Sequence, residues 1–331
     1  MNEAPPSAAA QALIRDALVW DNNGCMPLRP HDAAFLPMLQ RYRDAGVNVA
    51  ILNIGFGEQG IEEHVRMLAA FREWLLARPQ DYVLIDSVDD IERARASGRL
   101  AIGFDIEGGN AIGDQLSLIS MYRSLGVRWM LLAYNRNNRL GGGCQDEDTG
   151  LTPFGRQAIA EMERVGMAVC LSHTGYRTAM DAMTLATQPV IFSHSCARAI
   201  HAHPRNITDE MMRACAATGG VVGINGIGIF LGNNDARTET FVNHLDHAVQ
   251  TVGAEHVGLG LDYVFDQSEL DDYVTTMKHT FPEGFGYEAG ITMVEPERLP
   301  AIVDGLLARG YGDEAIRGIL GGNWMRVARG G

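Results

Sequence analysis

Between residues 17 and 263 the chain alternates, eight times over, a short apolar or β-branched run with a longer amphipathic stretch. The runs are ALVW (17–20), VNVAILNI (47–54), LAIGFDIE (100–107), VRWMLLAY (127–134), MAVCLSH (167–173), PVIFSHS (189–195), GVVGING (220–226) and HVGLGLDY (256–263). Helical periodicity fills 31–45, 58–78, 114–125, 153–165, 176–187, 208–218 and 236–252, and returns at 296–309 and 313–320. Strands separated by helices pair in parallel, because each helix carries the chain back along the sheet. Eight such units predict an α/β fold, a closed (β/α)8 TIM-type barrel forming one domain over 1–331. An open doubly wound sheet is the competing arrangement, and G-F-G-E-Q-G at Gly55, Gly57 and Gly60 has the spacing of a dinucleotide loop. The acids in and after it, Glu58, Glu62 and Glu63, would lie beside a bound pyrophosphate and oppose it, so the barrel is the better reading.

At 331 residues and 46% apolar composition the chain can bury a large core. A formal charge of −14 repels phosphate backbones and anionic lipid, which argues against nucleic acid or membrane partners and for a small-molecule substrate. No secretory pattern opens the sequence and no apolar run reaches about 18 residues, so a cytoplasmic location is expected. Five cysteines, none in a C-x-x-C pair, fit reduced and mostly buried thiols. The single lysine, Lys278, lies in a polar stretch after the last apolar strand, which excludes a P-loop lysine, a Schiff base within the barrel and a carboxylated lysine bridging two metals.

Catalytic groups of such barrels come from the carboxyl ends of the strands. Here the third run closes on Asp105 and Glu107, the fourth on Tyr134, the fifth on His173, the sixth on His194, the seventh on Asn225 and the eighth on Asp262. Glu107, His173 and His194 are candidate metal ligands, since two imidazoles and a carboxylate make a three-ligand site of the zinc hydrolase kind, which Fe(II) also accepts. A histidine in S-H-T or S-H-S is by itself an ordinary structural residue. Two of them at consecutive strand ends, with a glutamate at a third, point to a metal. His244 and His247, three apart on a helix without a carboxylate motif, are expected on a solvated face. His31, His64, His201, His203, His256 and His279 are read as structural or surface residues.

The stretches GFDIEGGNAI, LTPFGRQAIAEMERVGMAVCLSHTG, PVIFSHSCARAI, HPRNITDEMM, VGLGLDY and GGNWMRV together resemble the membrane (renal-type) dipeptidase family of zinc-dependent barrel hydrolases, over nearly the whole length. The resemblance implies that Glu107 is a metal ligand together with His173 and His194. It implies that Asp262 is the general base and then acid, that Arg205 holds a substrate carboxylate, and that the chain forms a homodimer. Two positions depart from the family. Its His-x-Asp after the first strand is replaced by D-N-N-G-C, with Asn23 and Cys25 at the ligand positions, an amide being a poor ligand and a thiolate a soft one. Tyr134 stands where the family usually has histidine, and a neutral phenol there would grip the substrate by hydrogen bonding alone.

These readings predict a zinc-dependent hydrolase of a small amide, dipeptide or N-acyl amino acid in type, with one secure metal site and a second that hangs on Asn23 and Cys25. The alternatives are a non-catalytic or divergent barrel that binds a small ligand, and a metal-dependent hydrolase or lyase of a non-peptide substrate. Residues 264–295, without a regular pattern, are expected to form a lid, being too long for an ordinary connection.

Overall fold

The β-branched runs form strands where each can pair on both sides, and the chain does this around a closed ring. The computed structural model describes residues 5–330. Among them are ten strands: β1 (Trp20–Cys25), β2 (Val49–Phe56), β3 (Tyr82–Leu84), β4 (Leu100–Glu107), β5 (Val127–Leu131), β6 (Ala168–Cys170), β7 (Ile191–Phe192), β8 (Val221–Ile224), β9 (Val257–Leu259) and β10 (Tyr263–Val264). All pair in parallel, in the order β10-β1-β2-β4-β5-β6-β7-β8-β9. The last rung closes the ring. β9 lies in register with β8 from Val222 opposite Val257, and β10 with β1 from Gly24 opposite Tyr263. Between them Asp262 N donates to Asn23 O at 3.0 Å, and Gly226 N donates to Leu261 O at 3.0 Å, so one segment is bonded to both neighbours. β3 pairs only with the amino-terminal half of β4.

Two apolar layers follow. Trp20, Val49, Ile51, Trp129, Leu131 and Ile191 fill the barrel interior together with Trp324 from the carboxyl-terminal helix. The larger layer lies between the strands and the surrounding helices. Local chemistry sets the helix ends. In Pro153–Val165 the Thr152 side chain accepts from Gly155 N, proline opens the first turn, and Gly166 closes it in the left-handed region at φ 72°. That element matches its sequence expectation residue for residue.

Others do not. The first strand lies at Trp20–Cys25 rather than 17–20, because the polar D-N-N-G-C run is itself the strand; its register with β2 shifts between Asp21 and Gly24. Several elements have no counterpart in the periodicity, among them β3 and the helices Ala8–Asp16, Val88–Ala96, Gly228–Leu231 and Asn323–Ala328. The helix expected over 31–45 is a 3-10 turn, Leu36–Leu39, followed by Gln40–Asp44. His244 is corrected outright: it is fully buried, accepting from Ala197 N at 3.1 Å through Nδ1 and bonding Leu231 O at 2.9 Å through Nε2. His247 pairs with Asp209. Residues 264–295 contain a helix, Gln267–Thr276, and cross the carboxyl end of the barrel. Among the described residues no helix is long and apolar enough to cross a membrane.

Candidate metal centre

Three strand ends converge. Glu107 ends β4, His173 follows β6 by three residues, and His194 follows β7 by two. One donor atom from each lies within 4.8 Å of the others, and all three side chains are buried. His194 Nε2 is 3.2 Å from a Glu107 carboxylate oxygen and 3.0 Å from His173 Nε2. Close approach of backbone makes room for His194: a Cβ on Gly260 would come within 1.9 Å of Ser193 O, and one on Gly223 within 2.2 Å.

The surroundings orient these donors. His173 Nδ1 is 2.7 Å from Asn135 Oδ1, and the Asn135 amide nitrogen donates to Thr280 O at 3.1 Å. The Asn135 oxygen therefore faces the imidazole and takes the proton of Nδ1, leaving Nε2 as a lone pair aimed at the centre. The Tyr134 ring stacks on His173 with centroids 3.9 Å apart. His173, Asn135 and Asp262 all occupy the left-handed region, at φ 61°, 58° and 56°. Such backbone costs of order 1–3 kcal/mol per non-glycine residue and clusters where a side chain must be aimed.

Electrostatics agree with a donor set that can hold a cation. Burial, then the Asp105 and Asp262 charges, push the Glu107 carboxyl well above its ordinary range. Burial, then Arg205, hold both imidazoles well below theirs, hence neutral and able to act as ligands. A buried acid facing two imidazole nitrogens fits a divalent ion, so this donor set passes the test of its chemistry.

The end of β1 is different. The buried Asn23 amide nitrogen lies 2.9 Å from the Glu107 carboxylate, 2.9 Å from His194 Nδ1 and 3.3 Å from the Asp262 carboxylate. The Cys25 thiol donates to Asp262 at 3.3 Å, and burial followed by the Asp262 and Glu107 charges raises it well above its ordinary value. Both residues thus present hydrogens to the carboxylates, where a second cation would need lone pairs.

Asp262 completes the group. It accepts from Asn225 Nδ2 at 2.8 Å, and burial, opposed by Arg205 and Asn225, raises it to about 6. Arg205 lies behind His194: its Nη2 donates to His194 O at 2.7 Å and its Nη1 to Ser195 Oγ at 3.2 Å. It is buried and does not line the cavity over the centre, and its Nε has no hydrogen-bond partner among the described residues. Sequence reasoning placed Asn225 at a strand end without a role and missed Asn135. Its position directly after Tyr134, in a residue type that tolerates left-handed backbone, was the available signal.

The cavity is walled by Phe56, Tyr134 and Ile229 from the barrel and by Tyr273, Phe281 and Tyr287 from residues 264–295. Its carboxylates are Glu107, Asp262 and Glu269, the last held by Leu28 N, the Tyr273 hydroxyl and Arg29.

Residues 34–279 match the family model described as membrane dipeptidase, peptidase family M19. Dipeptidase tcpJ of Claviceps purpurea is 32% identical over 247 residues, which is 73% of this chain and 53% of that protein. The chain spans about half the length of the curated relatives it matches. Among solved structures, an amidohydrolase from Pseudomonas aeruginosa superimposes with a TM-score of 0.87 at 26% identity, covering 97% of this chain and 98% of that one. A metallo peptidase from Rhodobacter sphaeroides, liganded with a phosphinate mimic of the dipeptide L-Ala-D-Ala, shares the fold with a TM-score of 0.77 at 22% identity, covering 95% and 99%.

Proposed function

The chain belongs to the membrane dipeptidase family, peptidase family M19, and from that premise we propose that it is a single-metal hydrolase of small amides, dipeptides or N-acyl amino acids, with zinc as the ion. The observation that carries this reading is the meeting of Glu107, His173 and His194 beside Asp262, under a largely apolar cavity.

When bound, the ion supplies Lewis-acid polarisation of the amide carbonyl and makes water acidic enough to attack near neutral pH. Asp262 takes the proton of the attacking water and returns it to the leaving amine; a carboxyl raised to about 6 holds and releases a proton close to working pH. Asn225, Asn23 and Cys25 hold its two oxygens in place. Tyr134 keeps His173 aligned by stacking and offers its hydroxyl to the cavity. The apolar wall excludes water from the reacting amide. Arg205, with an unspent Nε, is the group we assign to a substrate carboxylate.

Metal analysis with a panel of dipeptides and N-acyl amino acids, on the parent and on His194→Ala, tests the proposal. The parent retains metal and hydrolyses members of the panel, and the variant loses both. Equal turnover in the two, or a parent that takes up no transition metal on reconstitution, would leave a ligand-binding barrel as the better reading. Metal without turnover of any panel member would favour a non-peptide substrate.

A further inference from the structure

A second cavity opens at the amino end of the barrel, on the face opposite the metal centre, with a volume of about 340 Å³. Three of the chain's four tryptophans line it: Trp20 at the start of β1, Trp129 in β5, and Trp324. Two of their indole N–H groups are spent, Trp20 on Asn22 Oδ1 at 3.1 Å and Trp324 on Leu259 O at 3.0 Å. The third, Trp129 Nε1, is buried without a hydrogen-bond partner among the described residues, and so is the Asn22 amide nitrogen, whose residue lines the same cavity. Unpaired donors at this depth cost roughly 1–3 kcal/mol each, a cost that an acceptor in the cavity would remove.

The charge of the wall narrows the ligand. Arg123, Arg128 and Arg329 line the cavity with Asp86 and Glu163, and Arg329 also pairs with Glu92 at 2.6 Å, so the wall carries no net negative charge in a protein of formal charge −14. Arg128 is largely buried and spends its donors on the carbonyls of Gly126, Asp86 and Arg123; burial and the neighbouring Arg123 lower its pKa to about 10. Both guanidiniums lean on the Asp86 carboxylate, at 3.2 and 3.9 Å, and that side chain is 83% exposed, so water screens the compensation.

We propose that this cavity binds a small aromatic carboxylate, its ring among the three indoles and its oxygens on the Asn22 amide and Trp129 indole donors. Indole faces suit a flat ring, unspent N–H donors suit a carboxylate, and the volume lies at the small end of the range for small-molecule sites. The site is independent of the metal chemistry, although the Trp129 ring lies 6.3 Å from that of His194.

The test is titration of the full chain with 4-fluorobenzoate, followed by calorimetry and fluorine resonance, against 4-fluorobenzamide as the uncharged counterpart. Saturable binding of about one benzoate per chain, weaker for the amide, is expected. Asn22→Asp keeps an oxygen for Trp20 Nε1 but replaces the unspent donor with an anion, and should weaken binding about tenfold or more. Trp129→Phe keeps most of the packing, removes the other donor, and should cost a similar factor; it decides the matter if the first variant does not fold. Asp262→Asn, at the opposite end, should leave the affinity unchanged. The proposal is overturned by a cavity that takes up water only, with no saturable binding. It is equally overturned by folded Asn22→Asp and Trp129→Phe chains that bind like the parent, or by binding that disappears in Asp262→Asn.

Discussion

The end of β1 and the ends of β4, β6 and β7 surround the same space with opposite hydrogen-bonding character. From the second group, Glu107, His173 and His194 bring an acid and imidazole lone pairs to one point. From the first, Asn23 and Cys25 send N–H and S–H hydrogens toward the carboxylates of Glu107 and Asp262. A cation and a hydrogen-bond donor answer the same need, positive charge beside buried carboxylates, and here one side calls for the cation while the other supplies donors. On the proposed reading, a neutral amide takes over part of the charge balance that a second cation would otherwise supply.

The comparison can be broken at Asp262, where both sides meet. Asp262→Asn should lower turnover about 10²- to 10⁴-fold with metal content unchanged, which separates proton transfer from metal binding. The sign of the pH effect follows from the raised carboxyl: the base works deprotonated, so kcat/KM rises with pH through about 6 or below, since a bound cation would lower that value. The rise should vanish in the variant; a profile that keeps it would assign the titration to another group.

It can be sharpened on the ligand side through Asn135, which touches no reacting atom but fixes His173. Asn135→Ala should weaken metal retention by about 10- to 100-fold, with activity recovered at high metal concentration. Recovery by added metal distinguishes a positioning role from general loss of structure. On the donor side, Asn23→Asp exchanges a hydrogen-bond donor for an acceptor, and metal content should rise from about one toward two ions per chain, the smallest change of the three. A content that stays at one would show that the amide is not what keeps a second ion out.

Much of this was legible in the sequence, and the failures have physical causes. Glu107, His173, His194 and Asp262 stand out because a charged or polar residue ends an otherwise apolar run, a contrast that strand burial imposes. β1 was misplaced because most of its polar atoms are paired inside the barrel: the Asn22 oxygen by Trp20, Asn23 by the site, Asp21 by the Tyr42 hydroxyl and Leu261 N. A pattern that counts apolar residues cannot see such pairs. The helix Val88–Ala96 escaped notice because five of its nine residues are charged and it buries only Asp90, Ile91 and Ala94. His244 was misassigned because its spacing with His247 describes a helix face and says nothing of what packs there, which is the Ala197 amide and the Leu231 carbonyl. The role of Asn135 rests on a left-handed backbone angle and a contact with Thr280, 145 residues away, and neither leaves a periodic trace.

The measurement that tests the central claim most directly is the metal content of the purified chain after reconstitution with excess zinc and removal of loosely held ions, with protein concentration determined independently. The account predicts about one ion per chain, retained by the parent and lost in His194→Ala. Two tightly held ions per parent chain would contradict the reading of Asn23 and Cys25 as donors, and none would contradict the metal centre itself.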